Sequence, residues 1–282
     1  MKKVMLLMVF VGSVLFLGGC GLSNRGIGMV RPTGDVTVET FEVDDFTSFR
    51  VGGTFDVTFR YADHHEVTIE MAENLFDYIE VTVSRGALSI GTRSGVGIEF
   101  GDHQPQVTIY APVLESARLS GSATAMDWDA IIASNFSIEL SGASDATLDV
   151  TTEALNVQGS GSSNIELSGV APMIQINLSG ASDLFAELIT EELELTASGS
   201  STIELTGSAS VAYLDISGAS DILASNLQTE VVDIEASGST HVEMAVSEQL
   251  NVVARGSSRV QYLGHPAVTQ EVSGSATIGP ME

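Results

Sequence analysis

Apolar and polar residues alternate along most of the chain, and after residue 117 the alternation is organised by a recurring Ser-Gly-Ser/Ala motif. The positions four and two before the central glycine, and four and six after it, are mostly apolar, with polar residues between them. This period of two predicts two short half-buried strands per repeat, joined by the glycine turn. The central glycines recur every 18 to 21 residues, at Gly121, Gly142, Gly161, Gly180, Gly199, Gly218, Gly238, Gly256 and Gly274.

A repeat of about 19 residues predicts an all-β fold, a parallel β-helix or β-solenoid with one coil per repeat. An antiparallel meander would also fit the alternation, but it needs no identical turn after every second strand. Stacked coils, about 4.8 Å apart, place equivalent residues in rows and account for the recurrence. The glycine is expected where the chain reverses between two close sheets, through positive φ or close backbone approach. A second, polar turn, such as residues 189–192 or 228–230, is expected to close each coil.

The preceding part of the chain, residues 35–116, is less regular but also alternates. The segment 49–57 resembles the later unit of strand, glycine turn and strand, so we expect irregular opening coils that also cap the stack. Residues 91–103 are expected to form an exposed loop, and residues 262–282, with Pro266 and Pro280, to cap the far end. Together, 35–116 and 117–282 are predicted to form one domain. The predicted opening strands are 36–43, 49–61, 66–71, 79–83, 87–91 and 106–110.

Aspartates recur three residues after alternate glycines, at Asp145, Asp183 and Asp221, with neutral residues in the repeats between them. Stacked coils would place these carboxylates about 9.6 Å apart. A calcium or ligand stripe is one interpretation, but calcium takes six to eight oxygens at about 2.3–2.6 Å, which carboxylates so far apart cannot share. We favour the other interpretation, in which the alternation separates like charges and the side chains bond turn amides.

The N-terminus has the three parts of a signal peptide. Lys2 and Lys3 precede an apolar segment, 4–17, which ends in Leu17-Gly18-Gly19-Cys20. This ending resembles the lipobox of bacterial lipoproteins, and the resemblance implies cleavage after residue 19 and lipidation of Cys20. The alternative is a secretory peptide followed by an incidental cysteine. Residues 20–34 are glycine-rich and aperiodic, and they predict the lipidated cysteine and a flexible tether.

The lipobox resemblance also predicts the location of the protein. The position after Cys20 is Gly21 and lacks the Asp that is associated with retention in the inner membrane. The protein is therefore expected in the outer membrane if the organism has two membranes, and otherwise on the outer face of the cell membrane. No later apolar stretch is long enough to predict a spanning helix.

Composition excludes several function classes. The formal net charge is −26, from 11 Lys plus Arg and 37 Asp plus Glu, and Lys2 and Lys3 are the only lysines. Such a surface repels phosphates, which argues against nucleic-acid binding. One cysteine excludes an intramolecular disulfide framework and a cysteine-based zinc cluster. With 44% hydrophobic residues the chain can bury a core, unlike a disordered acidic tail.

Both ends of the repeat region, with the serial turns, resemble the bacterial family described as putative auto-transporter adhesin, head GIN domain. The resemblance rests on residues 46–57, the Ser-Gly-Ser/Ala turns, 262–268 and 272–276, and it extends over about residues 40–280. It implies a parallel β-helix similar to pectin-lyase-type folds and a conjectured role in adhesion. The family brings no established catalytic residues, and fold alone does not give function.

The candidate chemistry is sparse. Asp63-His64-His65-Glu66 is the densest group of metal-ligand types, but adjacent residues on a strand point to opposite faces, so we predict no metal site. Glu166, Glu204 and Glu243 would stack on alternate coils about 9.6 Å apart, near the separation in an inverting glycosidase. Outward glutamates on a sheet are ordinarily solvated, and no nucleophile elbow, phosphate-binding loop or dinucleotide motif occurs.

We therefore expect a lipid-anchored envelope protein without catalytic activity or cofactor, whose solenoid surface serves adhesion or binds a protein or glycan. The alternatives are a polysaccharide-acting enzyme and a passive scaffold or sensor. Phe185, Leu223 and Leu227 are expected to pack under the second turn; if exposed, they would indicate a partner surface. The oligomeric state is not predicted, although an incomplete cap would favour end-to-end association.

Overall fold

The computed structural model describes residues 29–101 and 103–281. The predicted signal peptide, Cys20 and residues 21–28 lie outside the described residues. Apart from one 3₁₀ helix, Glu73–Tyr78, the described elements are strands. Among the described residues, no helix has the length and apolar character needed to cross a bilayer.

The opening strands in chain order are β1 (Met29–Val30), β2 (Val36–Glu42), β3 (Ser48–Gly53), β4 (Asp56–Tyr61), β5 (Glu66–Ala72), β6 (Ile79–Ser84), β7 (Ala87–Thr92), β8 (Gly97–Ile98), β9 (Gln106–Ala111), β10 (Ser116–Gly121) and β11 (Thr124–Ala125). The strands of the regular region are β12 (Ile131–Gly142), β13 (Asp145–Gly159), β14 (Asn164–Val170), β15 (Met173–Leu178), β16 (Asp183–Ala197), β17 (Thr202–Ile216), β18 (Asp221–Ala236), β19 (His241–Ala254), β20 (Arg259–Leu263), β21 (Ala267–Val272) and β22 (Thr277–Pro280).

Successive repeats pair in parallel, and equivalent residues stack in register. Ile138, for example, pairs with Val157, which in turn pairs with Ile176. We call the strand segments that end at the glycine turns sheet A, and the segments that begin after the turns sheet B. The predicted β-solenoid with about 19 residues per coil is confirmed. The inward rows of the two sheets are buried and form one core, because each coil covers the apolar side chains of the next.

The nine motif glycines have φ between +73° and +90°. At Gly180 an added Cβ would lie 2.5 Å from the carbonyl oxygen of Gly161, one coil away. The same carbonyl accepts a 2.7 Å hydrogen bond from the Ala181 amide. Glycine is therefore required here for two reasons, which are the backbone conformation and the close stacking of successive turns.

The second change of direction differs from the expected polar turn, because β13, β16, β17, β18 and β19 continue from sheet B to sheet A without interruption. Threonines point inward at this bend, including Thr152, Thr190 and Thr229. The Thr190 hydroxyl donates to the carbonyls of Glu192 at 2.9 Å and Pro172 at 3.1 Å. An inward hydroxyl thus supplies a hydrogen-bond partner inside the bend.

The opening part is not wound in chain order, contrary to the expected series of coils. The β3–β4 unit lies between a coil formed by β7 and β9 and the coil formed by β10 and β11. Three antiparallel pairs cover this end of the stack: β2 with β5, β5 with β9, and β6 with β7. The expected loop at 91–103 contains β8, which pairs with β1.

The expectation that residues 262–282 cap the far end is wrong. This segment instead forms one more coil, in which β21 pairs with β19 and β22 pairs with β20. Every residue of β21 is exposed. Val268 and Val272 continue the inward rows of the repeat, and the polar Gln270 stands at the inward position between them. The strand therefore extends the stack without covering it.

Candidate binding faces

The outer face of sheet B carries an exposed aromatic ring between two carboxylates. The register places Thr147, Glu166, Phe185 and Glu204 on four successive coils of one row. Phe185 is 45% exposed, although the residues on either side of it in β16, Leu184 and Ala186, are buried. We call the shallow hollow of about 540 Å³ around this ring the Phe185 groove; its other lining residues include Trp128, Asp149, Ser168, Glu187 and Thr206.

The predicted aspartate row borders this groove. Asp145, Asn164, Asp183, Thr202 and Asp221 occupy successive coils, so a neutral residue separates each pair of carboxylates. Asp183 Oδ1 accepts a 3.3 Å hydrogen bond from the Thr202 amide of the next coil. The described residues contain no group of three or more His, Cys, Asp or Glu side chains arranged to hold a metal ion.

Sheet A carries a second face of the same composition, which the sequence analysis did not identify. Glu194, Tyr213 and Asp233 are consecutive members of one row, and Tyr213 is 43% exposed. Asp215 and Glu235 stand in the neighbouring row. We call the hollow of about 600 Å³ formed by these residues the Tyr213 face. The sequence offered one signal for this face, which is a tyrosine at an outward position of the strand.

Amide side chains connect coils in the row that leads to the Tyr213 face. Asn156 Nδ2 donates to Gln175 Oε1 at 2.8 Å, and Gln175 Nε2 donates to Glu194 Oε2 at 3.0 Å. On the other side, Asn251 Nδ2 donates to Asp233 Oδ1 at 2.5 Å. These contacts orient the carboxylates on both sides of the exposed ring.

A buried hydroxyl row supports the turns beside both faces. Ser182 is fully buried two residues after its glycine, and its hydroxyl donates to the carbonyl of Ser179 at 2.9 Å. Thr240 takes the same place, but its buried hydroxyl has no partner among the described residues. The signal for this row was present in the sequence as a hydroxyl residue at that position in every repeat from Ser144 to Ser258; the last repeat has Ala276 there. The equivalent hydroxyls are Ser144, Ser163, Ser201, Ser220 and Ser258.

The three outward apolar candidates do not share one environment. Phe185 is exposed, which contradicts the expected packing under the second turn. Leu227 is fully buried, and Leu223 is half-buried. β18 contains an irregularity opposite Glu204–Thr206, and this turns Leu227 inward, where it pairs with Gly207. Of these three residues, only Phe185, in the regular part of the sheet, is exposed to a partner.

The histidine pair near the opening strands is engaged by local contacts. His65 Nδ1 lies 3.0 Å from Asp45 Oδ1, and Nε2 lies 3.0 Å from the Phe46 carbonyl. His64 Nδ1 lies 3.1 Å from Asp63 Oδ1. The hydrogen bond from His64 lowers the pKa of the Asp63 carboxyl, with the His64 charge adding to the effect. Both ring nitrogens of His65 and Nδ1 of His64 are therefore engaged in contacts within the chain.

The possible catalytic pair, Glu166 and Glu204, lies within the Phe185 groove. The two residues are two coils apart, about 9.6 Å, and the side chain of Phe185 stands between them. The acid with a pKa raised by burial, Asp56, belongs to the row of Asp145 and does not line the groove. The groove therefore combines one apolar surface with carboxylate and hydroxyl hydrogen-bonding groups.

One family model matches the chain from β3 to β20. The model described as putative auto-transporter adhesin, head GIN domain, matches residues 45–190 and 171–266. The chain belongs to this family. The match includes all of the residues that line the Phe185 groove and the Tyr213 face.

Solved structures with a similar fold come from two Parabacteroides species. A putative adhesin from Parabacteroides merdae is 22% identical, with a TM-score of 0.69; the alignment covers 90% of this chain and 99% of that chain. A putative adhesin from Parabacteroides distasonis is 21% identical, with the same TM-score, over 90% and 100%. A putative lipid binding protein from P. distasonis is 20% identical, with a TM-score of 0.64, over 90% and 100%. These likenesses show the fold. A search of the curated proteins finds no match.

Proposed function

We propose that this member of the head GIN domain family is a lipid-anchored envelope protein that binds an external partner without chemical conversion. The observation that carries the proposal is the exposed Phe185 ring in a row with Glu166 and Glu204. An aromatic face with flanking oxygen acceptors matches the surface of a sugar, which presents C–H groups on one face and hydroxyls at its edge. A glycan is therefore the partner that we favour.

Family membership supports an envelope location and an adhesion-like role, and the N-terminal lipobox pattern supplies the anchor. The described chain begins at Met29, beside β8 and close to the antiparallel end of the stack. A tether from Cys20 would enter at this end. The long faces of the solenoid would then stand clear of the membrane and face the surroundings.

The binding test uses the full chain on an array of envelope and host glycans. The Phe185→Ala variant is expected to lose at least about tenfold in affinity, because truncation removes the central apolar contact. Val113→Ala is the matched control: Val113 is 44% exposed but does not line the Phe185 groove. Equal binding by both variants would contradict the groove as the site. No binding above background by the parent chain would favour the passive scaffold or sensor.

The anchor is tested separately with Cys20→Ala in cells. Loss of lipidation is expected to release the chain from the membrane fraction or to leave it unprocessed, because acyl chains supply about 0.8 kcal/mol per buried methylene. Membrane fractionation and mass measurement of the N-terminal peptide report the result. Unchanged membrane association would refute the anchor while leaving the glycan test unaffected.

The second candidate, a polysaccharide-acting enzyme, rests on the separation of Glu166 and Glu204. About 9.6 Å is close to the upper end of the range for inverting glycosidases. Prolonged incubation with a bound glycan would release new reducing ends if this candidate is correct, and Glu204→Gln would abolish the release. Intact glycan after incubation is the result expected for the non-catalytic proposal.

A further inference from the structure

The far end of the solenoid exposes core positions that are buried in every regular coil before it. Val268 and Val272 are 38% and 48% exposed, whereas their partners one coil earlier, Leu250 and Ala254, are 0% exposed. In the described residues, no strand pairs with the outer edges of β21 and β22. Two strand edges, one from each sheet, therefore flank an uncovered strip of the core.

This end also differs from the rest of the solenoid in charge. Residues 145–243 contain 16 acidic residues and no lysine or arginine. Residues 244–281 contain two acids and two arginines; these are Glu248, Glu271, Arg255 and Arg259. Two copies of so acidic a protein repel each other along most of their surfaces, and this repulsion is smallest at the last two coils.

The opposite end is protected against the same kind of association. Its edge strands, β2 and β6, carry Glu39, Glu42 and Glu80, and acids also flank β2 at Asp35 and Asp44. Charged residues on an edge strand are a common defence against pairing with another chain. β21 carries a single acid, Glu271, and β22 carries none.

We infer that the open end binds the same end of a second copy. A two-fold axis perpendicular to the sheets places β21 antiparallel to β21 of the partner, and β22 antiparallel to its own counterpart. An extended peptide could extend only one sheet, whereas a second solenoid end covers both edges and the core strip between them. Such a contact is self-complementary and closes at two copies.

The dimer has a consequence for adhesion, which rests on the proposed lipid anchor. The stack rises roughly 50 Å from the antiparallel end to β21. Pairing at β21 places the two tether attachment points at opposite ends of the dimer, roughly 100 Å apart. Such a dimer joins molecules on facing membranes and does not link neighbours within one membrane.

The orientation is tested by disulfide cross-linking of the detergent-solubilised full chain. Gln270→Cys, near the middle of β21, is expected to give at least about tenfold more linked dimer than Val38→Cys on β2, which is also exposed and lies at the opposite end. The parent chain measures any contribution from Cys20. Equal linking of both variants, or linking only when the two variants are mixed, would overturn the inference.

The contact itself is tested by sedimentation of the same preparation. The parent is expected to be dimeric at about 100 μM, and Val268→Lys with Val272→Lys to raise the dimer dissociation constant at least about tenfold. Because both valines are exposed, the far-UV circular dichroism should not change. Val36→Lys with Val38→Lys at the other end is the matched control and should remain dimeric. A parent that stays monomeric would overturn the inference, whatever the outcome of the anchor test.

Membrane bridging is tested with lipid vesicles that carry the full chain. Vesicles with the parent are expected to cluster, and vesicles with the valine double variant are expected to stay dispersed. Clustering that is unaffected by the double variant would overturn the bridging role of this end. Dimerisation in detergent without clustering would refute bridging but leave the end-to-end contact in place.

Discussion

At the scale of single residues, the turn glycines stabilise the stack through a backbone conformation that other residues adopt only with strain. Gly180 and Gly86 both have positive φ, at +83° and +74°. They differ in surroundings, since a Cβ on Gly180 would meet the Gly161 carbonyl while a Cβ on Gly86 would meet no atom within 4 Å. The pair therefore separates conformational strain from steric exclusion between coils.

Gly180→Ala is expected to destabilise the protein by at least about 4 kcal/mol, because both the strain and the collision apply. Gly86→Ala should cost about 1–2 kcal/mol from conformation alone. Thermal and urea unfolding of the two variants measure the difference. Equal losses would mean that close stacking contributes nothing at the turns.

Asp56 gives a prediction for pH. Burial raises the pKa of its carboxyl above the ordinary value of 3.8, so the ionised form is disfavoured in the folded state. Asp56→Asn should therefore stabilise the protein above the folded pKa, by less than about 1 kcal/mol because the group is partly solvated. The gain should disappear below pH 3.8, where Asp56 is protonated in both states.

Asp145→Asn is the control for this experiment. Asp145 is exposed, and its substitution removes the same charge from the same row. Melting temperatures of the three proteins across the acid range give the comparison. A stability gain from Asp56→Asn that persists in acid, or that Asp145→Asn reproduces, would argue against burial as the cause.

At the scale of strands, protection of the backbone amides against hydrogen exchange depends on how many strands pair with the one that carries them. β17 pairs on both sides and its inward residues are largely buried, whereas β2 and β21 each pair along one edge only within the described part of the chain. Amides of β17 are expected to exchange with solvent at least about a hundredfold more slowly than those of β2. Hydrogen exchange followed by mass spectrometry at low protein concentration measures this gradient. Uniform protection along the stack would contradict it.

The alternation of apolar and polar residues predicts where the opening strands lie, but not how they pair. The alternation locates nearly every opening strand, including β4 and β9, to within a few residues. It does not specify that β9 pairs with β4 in parallel and with β5 in antiparallel fashion. Those pairings depend on how the chain returns beneath β3, which is a contact between residues distant in sequence.

At the scale of the whole molecule, the regular coils carry many acids and no compensating cation between residues 145 and 243. Glu191, Glu192 and Glu194 lie in one coil of a region without lysine or arginine. Salt reduces the Debye length from about 10 Å at 0.1 M to about 3 Å at 1 M, and so screens charges on neighbouring coils. Raising NaCl over this range should increase the melting temperature by about 4 °C.

Replacing these three glutamates with glutamine should raise the melting temperature in low salt and reduce its salt dependence. The same change at Glu39, Glu42 and Glu70, in the opening part, is the control for net charge. Calorimetry of the two triple variants and the parent gives the comparison. Equal salt dependence in all three would show that the spacing of acids along the stack does not limit stability.

The sequence by itself determined the repeat, the strand pairs, the turn glycines and the rows of aligned side chains, because all of these follow from periods within the chain. The exposed Phe185 ring, the buried Leu227 and the Tyr213 face were decided by the tertiary structure. Whether an outward position is accessible depends on bulges and on residues of neighbouring coils. The open end at β21 was decided in the same way. Val268 and Val272 match the inward residues of the earlier coils, whereas Gln270 is polar where Val252 is buried one coil before. That no strand covers β21 is shown only by the structure of the described residues.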